Sequence, residues 1–307
     1  MDLLVTGSSG FVGRAVFRAT ETLDRKFQIK PVALDAGVDI TDQRSLAAAL
    51  ARVKFDAVLH LAAISYVPDA VKNPEKTYLV NFLGTHNLLR CLKALHFKGR
   101  LLFVSSADVY GRVSETALPV DEGATPLPNN PYAVSKLAAE FVCRQWFLSE
   151  SFDIVIARPF NHFGPGQRRD FVLASIAFQL ARIRKGEAPP RIQLGDIEAT
   201  RDFSDVEDIV LGYAALLKHG QGGEIYNLCS GTERRIADVV SDMVAASGLN
   251  VLVVTEASLY RRAEQRRMRG DASKIFRQTG WQTTVPWSES INRLLEFTPL
   301  TQSKVPL

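Results

Sequence analysis

The sequence is poor in most of what would tie it to a special scaffold. It has three cysteines, Cys91, Cys143 and Cys229, far apart and odd in number. No Cys-x-x-Cys pair occurs, so neither a disulfide framework nor a zinc knuckle is indicated. No metal site is expected, and a reducing cytoplasm is the simplest compartment. No apolar run reaches the ~18 residues of a membrane span. The N-terminal MDLLVTGSSGFVG has no basic stretch ahead of it and runs straight into structure, so no signal peptide is expected. Strong charge is also missing: 37 Lys and Arg stand against 33 Asp and Glu, a net charge of +4. That mild excess suits phosphorylated small molecules and is too weak to argue for nucleic acid.

What is there is strand–helix alternation. Strand-like runs occur at LLVTG (3–7), PVALD (31–35), AVLHLAA (57–63), RLLFVSS (100–106), IVIARPF (154–160) and EIYNLCS (224–230). They are continuously apolar, as expected of parallel strands buried on both faces. Segments 12–23, 43–53, 73–95 and 131–149 between them read as helices. The fold expected is α/β, a doubly wound parallel sheet. After Phe160 the chain becomes richer in Arg, Pro and loops, with helices over 171–185, 236–247 and 287–297 and a short strand at 251–255. With 307 residues, a large domain plus a smaller lobe is the natural division.

The first strand runs into Gly7-Ser8-Ser9-Gly10-Phe11-Val12-Gly13, a G-x-x-G-x-x-G turn opening a helix. Such glycines let backbone approach a pyrophosphate held at the positive end of the helix. Asp35 ends the second strand, where an acid can hydrogen-bond the adenosine ribose of NAD(H), or merely cap a loop. Arg14 and Lys30 could instead meet the 2′-phosphate of NADP(H). Asp39-Ile40 and Leu61-Ala62-Ala63 fit the walls of the same pocket, and His60 reads as a satisfied core histidine. The division expected is a dinucleotide-binding domain of 1–160 plus 203–230, and a discontinuous substrate lobe of 161–202 plus 231–307.

In Pro131-Tyr132-Ala133-Val134-Ser135-Lys136, Tyr132 and Lys136 share one helix face. A phenol transfers protons poorly at neutral pH, and a nearby ammonium would favour its ionised form. TGSSGFVG, HLAA, SSADVYG and YAVSK, in this order and spacing, resemble the extended short-chain dehydrogenase/reductases, Rossmann-like enzymes with a Ser/Thr–Tyr–Lys set. The resemblance covers nearly the whole chain. It implies that Ser106, Tyr132 and Lys136 are catalytic and that Tyr132 and Lys136 also touch the cofactor. Asn81 matches a core asparagine, and Ser105 reads as structural.

RPFNHFGPGQ, GDIEATRDFSDVEDIV and RRAEQRRMRG look like one subgroup, the reductases of GDP-linked 4-keto-6-deoxyhexoses, relatives of the GDP-mannose 4,6-dehydratases. That resemblance implies Asn161, Arg201, Arg261 and Glu264 as substrate residues, with Ser106 and Asp108 near the sugar. A proline common after the first Arg of the last motif is Arg262 here. In dehydratases of the family Asp-Glu or Ser-Glu follows the catalytic Ser/Thr; here Ala107-Asp108 stands. Alanine transfers no proton, and aspartate is one methylene shorter than glutamate, so elimination is disfavoured while hydride transfer to a ketone is not. The expected activity is reduction of GDP-4-keto-6-deoxy-D-mannose at C4, giving GDP-D-rhamnose. A C4 epimerase or 4,6-dehydratase holding NAD tightly, or a non-catalytic NAD(P) sensor, is the alternative. The segments 73–95 and 131–149 could pair with copies of themselves, and the family implies a homodimer.

Overall fold

The computed structural model describes residues 1–34, 37–259 and 265–298. All six strand-like runs enter one sheet: β1 (Asp2–Thr6), β2 (Lys30–Ala33), β3 (Ala57–His60), β4 (Arg100–Val104), β5 (Ile154–Pro159) and β9 (Ile225–Leu228). The order is β2-β1-β3-β4-β5-β9 and every pairing is parallel. β3 and β5 are buried throughout, and the polar residues they carry, His60 and Arg158, are each met by partners inside the fold. The chain leaves β1 in one direction and returns to β3 on its other side. The switch therefore falls between β1 and β3, and ligands of such sheets bind at the carboxyl ends beside it.

Helices cover both faces. α1 (Phe11–Arg18), α2 (Thr20–Phe27) and α9 (Val206–His219) pack on one side. α3 (Gln43–Leu50), α6 (Gly84–Ala94) and α7 (Pro131–Glu150) pack on the other. The helix expected over 12–23 breaks at Ala19, whose ψ of 7° lies outside the helical range. The one expected over 73–95 is α5 (Pro74–Tyr78) followed by a π-helical turn at Leu79–Leu83 and then α6; α4 (Val67–Lys72) precedes them. α7 starts where its sequence says it should: Asn130 Oδ1 accepts the Ala133 N–H at 2.9 Å, and Pro131 takes the first turn.

A second body has its own core. β6 (Asn161–Phe163), β8 (Thr200–Asp205) and β10 (Glu233–Arg235) form a three-stranded sheet, and β7 (Arg191–Leu194) pairs with β11 (Leu252–Thr255). α8 (Val172–Arg184), α10 (Ile236–Ser247) and α12 (Trp287–Glu296) bury Ile176, Val239 and Leu294 between them. α11 (Ser273–Thr279) returns to the large sheet, where Ile275 joins the core under α9.

His60 ties this frame together from inside. The Ala62 N–H donates to Thr6 Oγ1 at 3.2 Å, and Thr6 Oγ1 lies 2.7 Å from His60 Nδ1. On the other side His60 Nε2 is 3.0 Å from Thr85 Oγ1, which donates to the Asn81 carbonyl at 2.7 Å. Thr85 has spent its one proton, so Nε2 must carry the imidazole proton and Nδ1 must accept. Burial, and secondarily Lys136, holds the imidazole neutral down to about pH 3. The unfolded chain takes up this proton near pH 6.5, so the histidine's contribution is complete above that value and drains away toward about pH 3. The variant His60→Asn should therefore be less stable than the wild type at pH 7. The gap should close as the pH falls toward 4, read by urea denaturation at each pH.

Candidate active site

The glycine turn after β1 is built to be approached closely. Gly7 has φ +69°, and a Cβ there would stand 2.7 Å from the Ala62 nitrogen. A Cβ on Gly13 would meet the Gly7 carbonyl oxygen at 2.4 Å and the Ser8 carbonyl at 2.6 Å. The Gly10 N–H closes the turn onto the Gly7 carbonyl at 3.0 Å. Phe11 and Val12 then open α1, whose free N–H groups face the turn. Beside it lies a cavity of about 210 Å³, lined by Gly7, Ser8, Ser9, Asp39, Ile40, Ala62 and Val80 among others. A backbone cradle at a helix N-terminus with such a cavity fits a dinucleotide's adenosine and pyrophosphate.

Of the residues expected here, Gly7, Asp39, Ile40 and Ala62 line the cavity. Gly10 and Gly13 shape the turn, whereas Leu61 and Ala63 flank Ala62 without lining it. Asp35 lies outside the described residues. Asp39 also accepts from both the N–H and the hydroxyl of Thr41, at 2.8 Å each. Lys30 opens β2 at the amino edge, the wrong end of the sheet for a 2′-phosphate. Arg14 donates to the Gly166 carbonyl at 2.9 Å and to that of Ser9, strapping the loop after β6 to the glycine turn. Ser8 and Ser9 were legible as members of the motif. Val80 comes from the π-helical turn and had no local signal.

The end of β4 delivers the second half of the site. Ser106 caps a 3₁₀ turn at Ala107–Tyr110, its Oγ accepting the Asp108 N–H at 3.1 Å. The turn is thus pinned by the backbone of Asp108, not by its carboxylate. That carboxyl faces Arg201 of β8 and Tyr132 of α7: burial pushes its pKa up and Arg201 pulls it back. Tyr132 hydrogen-bonds with Ser106, which favours the phenolate, but burial and the Asp108 charge outweigh this and push the phenol well above its ordinary value. Lys136 therefore does not leave Tyr132 ionised. Its ammonium is buried, donates to the Val104 carbonyl at 2.8 Å and lies 5.1 Å from the Phe103 ring centroid. Burial lowers it to about 8.

The structure thus brings Ser106, Asp108, Tyr132 and Arg201 together above β4. Arg201 also donates to the Thr200 carbonyl at 2.7 Å. Asn161 is exposed on β6, in register with Phe203 of β8. Arg261 and Glu264 lie outside the described residues. Among the described residues no cluster of His, Cys, Asp and Glu could hold a metal, and no helix is long and apolar enough to cross a membrane.

The family model for GDP-mannose 4,6-dehydratase matches residues 4–294. The chain belongs to that family. It is 43% identical over 293 residues to a GDP-6-deoxy-D-mannose reductase of Pseudomonas aeruginosa, covering 95% of each chain. A GDP-6-deoxy-D-talose 4-dehydrogenase of Aggregatibacter actinomycetemcomitans is 31% identical, with 91% of this chain and 92% of that one covered. Among solved structures, RMD from P. aeruginosa complexed with NADPH superposes with a TM-score of 0.91 at 42% identity, covering 96% and 97% of the two chains.

The glycine geometry sets an expectation for the backbone cradle after β1. Gly13→Ala should weaken NADPH binding by at least about tenfold, because the turn must open to admit the methyl. Fluorescence titration reads the affinity, and an unchanged circular dichroism spectrum should show that the fold survives.

Proposed function

We infer that this chain is an NAD(P)H-dependent oxidoreductase that reduces the C4 ketone of GDP-4-keto-6-deoxy-D-mannose, with GDP-D-rhamnose as product. The observation that carries the reading is the similarity, along almost the whole chain, to a protein named GDP-6-deoxy-D-mannose reductase, the same sugar by another name. The site's electrostatics support the direction. A reductase needs a proton donor at the forming alkoxide, and Tyr132 is held as a protonated phenol by burial and by Asp108. Ala107 packs against Tyr110 and Phe160 and offers no acid for expelling a C6 hydroxyl.

In this reading Ser106 has one proton to give, since its oxygen already accepts the Asp108 N–H, and it polarises the ketone. Tyr132 protonates the oxygen. Lys136 supplies the positive charge below them and holds the nicotinamide ribose. The bound dinucleotide supplies the hydride. Gly7, Gly10, Phe11, Val12, Gly13, Asp39, Ile40, Leu61, Ala62 and Ala63, with Asp35, would cradle it. Arg201 and Asn161, with Arg261 and Glu264, would take the GDP-sugar. Residues 1–160 with 203–230 then hold the dinucleotide, and 161–202 with 231–307 hold the sugar nucleotide. Three free, buried cysteines accord with a cytoplasmic enzyme.

We also propose a homodimer through the helices beside α7. Val134, Phe141 and Leu148 recur every seven residues along its outer face and are 39%, 64% and 71% exposed. Leu79 and Leu83 of the neighbouring π-helical turn are also exposed. Phe141→Glu should shift the sedimentation coefficient to that of a monomer.

The activity is tested by following cofactor absorbance with the 4-keto sugar, and the product by NMR. One cofactor should be oxidised per ketone reduced, and the C4 coupling constants should be those of rhamnose. Bound cofactor that is never consumed would instead indicate an epimerase or dehydratase. Tyr132→Phe should lose about 10²-fold or more in kcat while binding NADPH as tightly as the wild type. A variant with full activity would remove Tyr132 from the mechanism.

A further inference from the structure

One costly group is left unused by this chemistry. Glu140 of α7 and Arg158 of β5 form an ion pair at 2.6 Å whose side chains are only 5% and 3% exposed. Arg158 Nε adds a second bond to Glu140 Oε1 at 2.9 Å, and Ser105 donates to the same oxygen. The guanidinium also lies 4.8 Å from the Tyr110 ring centroid. Buried pairs of this kind are often no more stable than an apolar replacement, so stability alone is a weak reason to keep one.

Its position suggests another reason. Glu140 sits one helical turn beyond Lys136, so both project from one face of α7. Lys136 is held by the carbonyl of Val104, and Glu140 by the hydroxyl of the next residue, Ser105. Ammonium and carboxylate are thus anchored on adjacent residues at the end of β4, directly before Ser106. We propose that Glu140 is a positioning residue that keeps Lys136 cationic and in register with Ser106, and that Arg158 limits how much of its charge Lys136 feels. This rests on the reading of Lys136 as the lysine of the reductase.

The surroundings leave few other sources of charge. On α7 the titratable groups facing Lys136 are Tyr132, Glu140 and Cys143, and burial keeps both the phenol and the Cys143 thiol protonated. From β3 comes His60, neutral down to about pH 3. From β4 come only the Phe103 ring and the Val104 carbonyl. Of these groups, only Glu140 stands in an ion pair, with Arg158 behind it. Burial drives Lys136 toward the neutral amine; Cys143 and Glu140 oppose it, and because burial keeps the Cys143 thiol protonated, Glu140 is left as the opposing charge.

The test is the pH profile of kcat/KM for the 4-keto sugar at saturating NADPH. Glu140→Gln should move the basic limb down by about one pH unit or more, because the ammonium loses its opposing charge. Arg158→Met should move it up, because the carboxylate then acts unshielded. Glu140→Asp should restore the wild-type limb in part. A merely structural pair would lower activity equally at every pH, and damage to packing cannot give shifts of opposite sign. Limbs that stay in place in both charge variants would overturn the proposal while leaving the reductase reading intact. A wild type inert toward the ketone would overturn that reading first. If Glu140→Gln does not fold, Arg158→Met decides alone: an upward shift supports the proposal and none refutes it.

Discussion

The seating of α7 on the end of β4 is the contact on which the rest of this site depends. Three consecutive residues make it, each with a different chemical group. Val104 uses its carbonyl on Lys136, Ser105 its hydroxyl on Glu140, and Ser106 its hydroxyl toward Tyr132. A strand alternates its side chains between faces, yet all three residues reach the same helix. They can because the first contact is made by backbone, and because β4 ends at Val104, where the chain turns into the 3₁₀ segment. A shift of α7 by one residue would break all three contacts together, so the register of the helix is over-determined.

A second set of polar contacts fixes the same helix from its other flank. The π-helical turn at Leu79–Leu83 carries Asn81, whose amide donates to Ser135 Oγ and to the Ile64 carbonyl, both at 2.9 Å. The Ile64 N–H returns a bond to Asn81 Oδ1 at 2.8 Å. Ser135 in turn donates to the Tyr132 carbonyl at 2.7 Å. Asn81 also receives Thr85 on its own carbonyl, and Thr85 is the last link from His60 and Thr6. A continuous run of bonds thus joins the β1–β3 switch to the tyrosine-bearing turn of α7. An ordinary helical turn at 79–83 would rotate Asn81 relative to the α6 residues that follow. The widened turn explains how Asn81 and Thr85 can serve two neighbours.

The frame was more legible in the sequence than the joints. Parallel strands buried on both faces announce themselves as unbroken apolar runs, and all six took their places in the sheet. α9 was hidden within a stretch expected to return to the sheet, because a helix buried nearly all round loses its amphipathic stripe. The break at Ala19 was invisible because alanine is the best helix former; packing overrides it there. In the site, Ser106, Tyr132 and Lys136 could be picked out by short motifs. The pairing of Glu140 with Arg158 could not, since 18 residues and a strand boundary separate them and the motif that opens at Arg158 says nothing of its partner. What the motif could not show for Asp108 is the division of labour: its backbone N–H pins the turn, and its carboxyl faces Arg201 and Tyr132.

That detail bears on how the family's two chemistries part company on one scaffold. A dehydratase needs acid and base groups in addition to those that move a hydride. Here the first of the two positions is Ala107, turned into an apolar cluster with Val120 and Met268. The second is Asp108, half-buried, whose carboxyl faces Arg201 and adds to burial in raising the phenol of Tyr132. Its effect within the site is to oppose ionisation of the Tyr132 phenol. Oxidation of an alcohol at C4 begins by giving a proton to Tyr132, which requires the phenolate. Reduction ends by taking one from it, which requires the phenol. For the reductase proposed above, a phenol kept protonated beside Asp108 suits the reductive direction, and Ala107 offers no group for the step that would follow oxidation. In that proposal the two adjacent residues bear on one outcome through different physics, Asp108 through electrostatics and Ala107 through the want of a proton carrier.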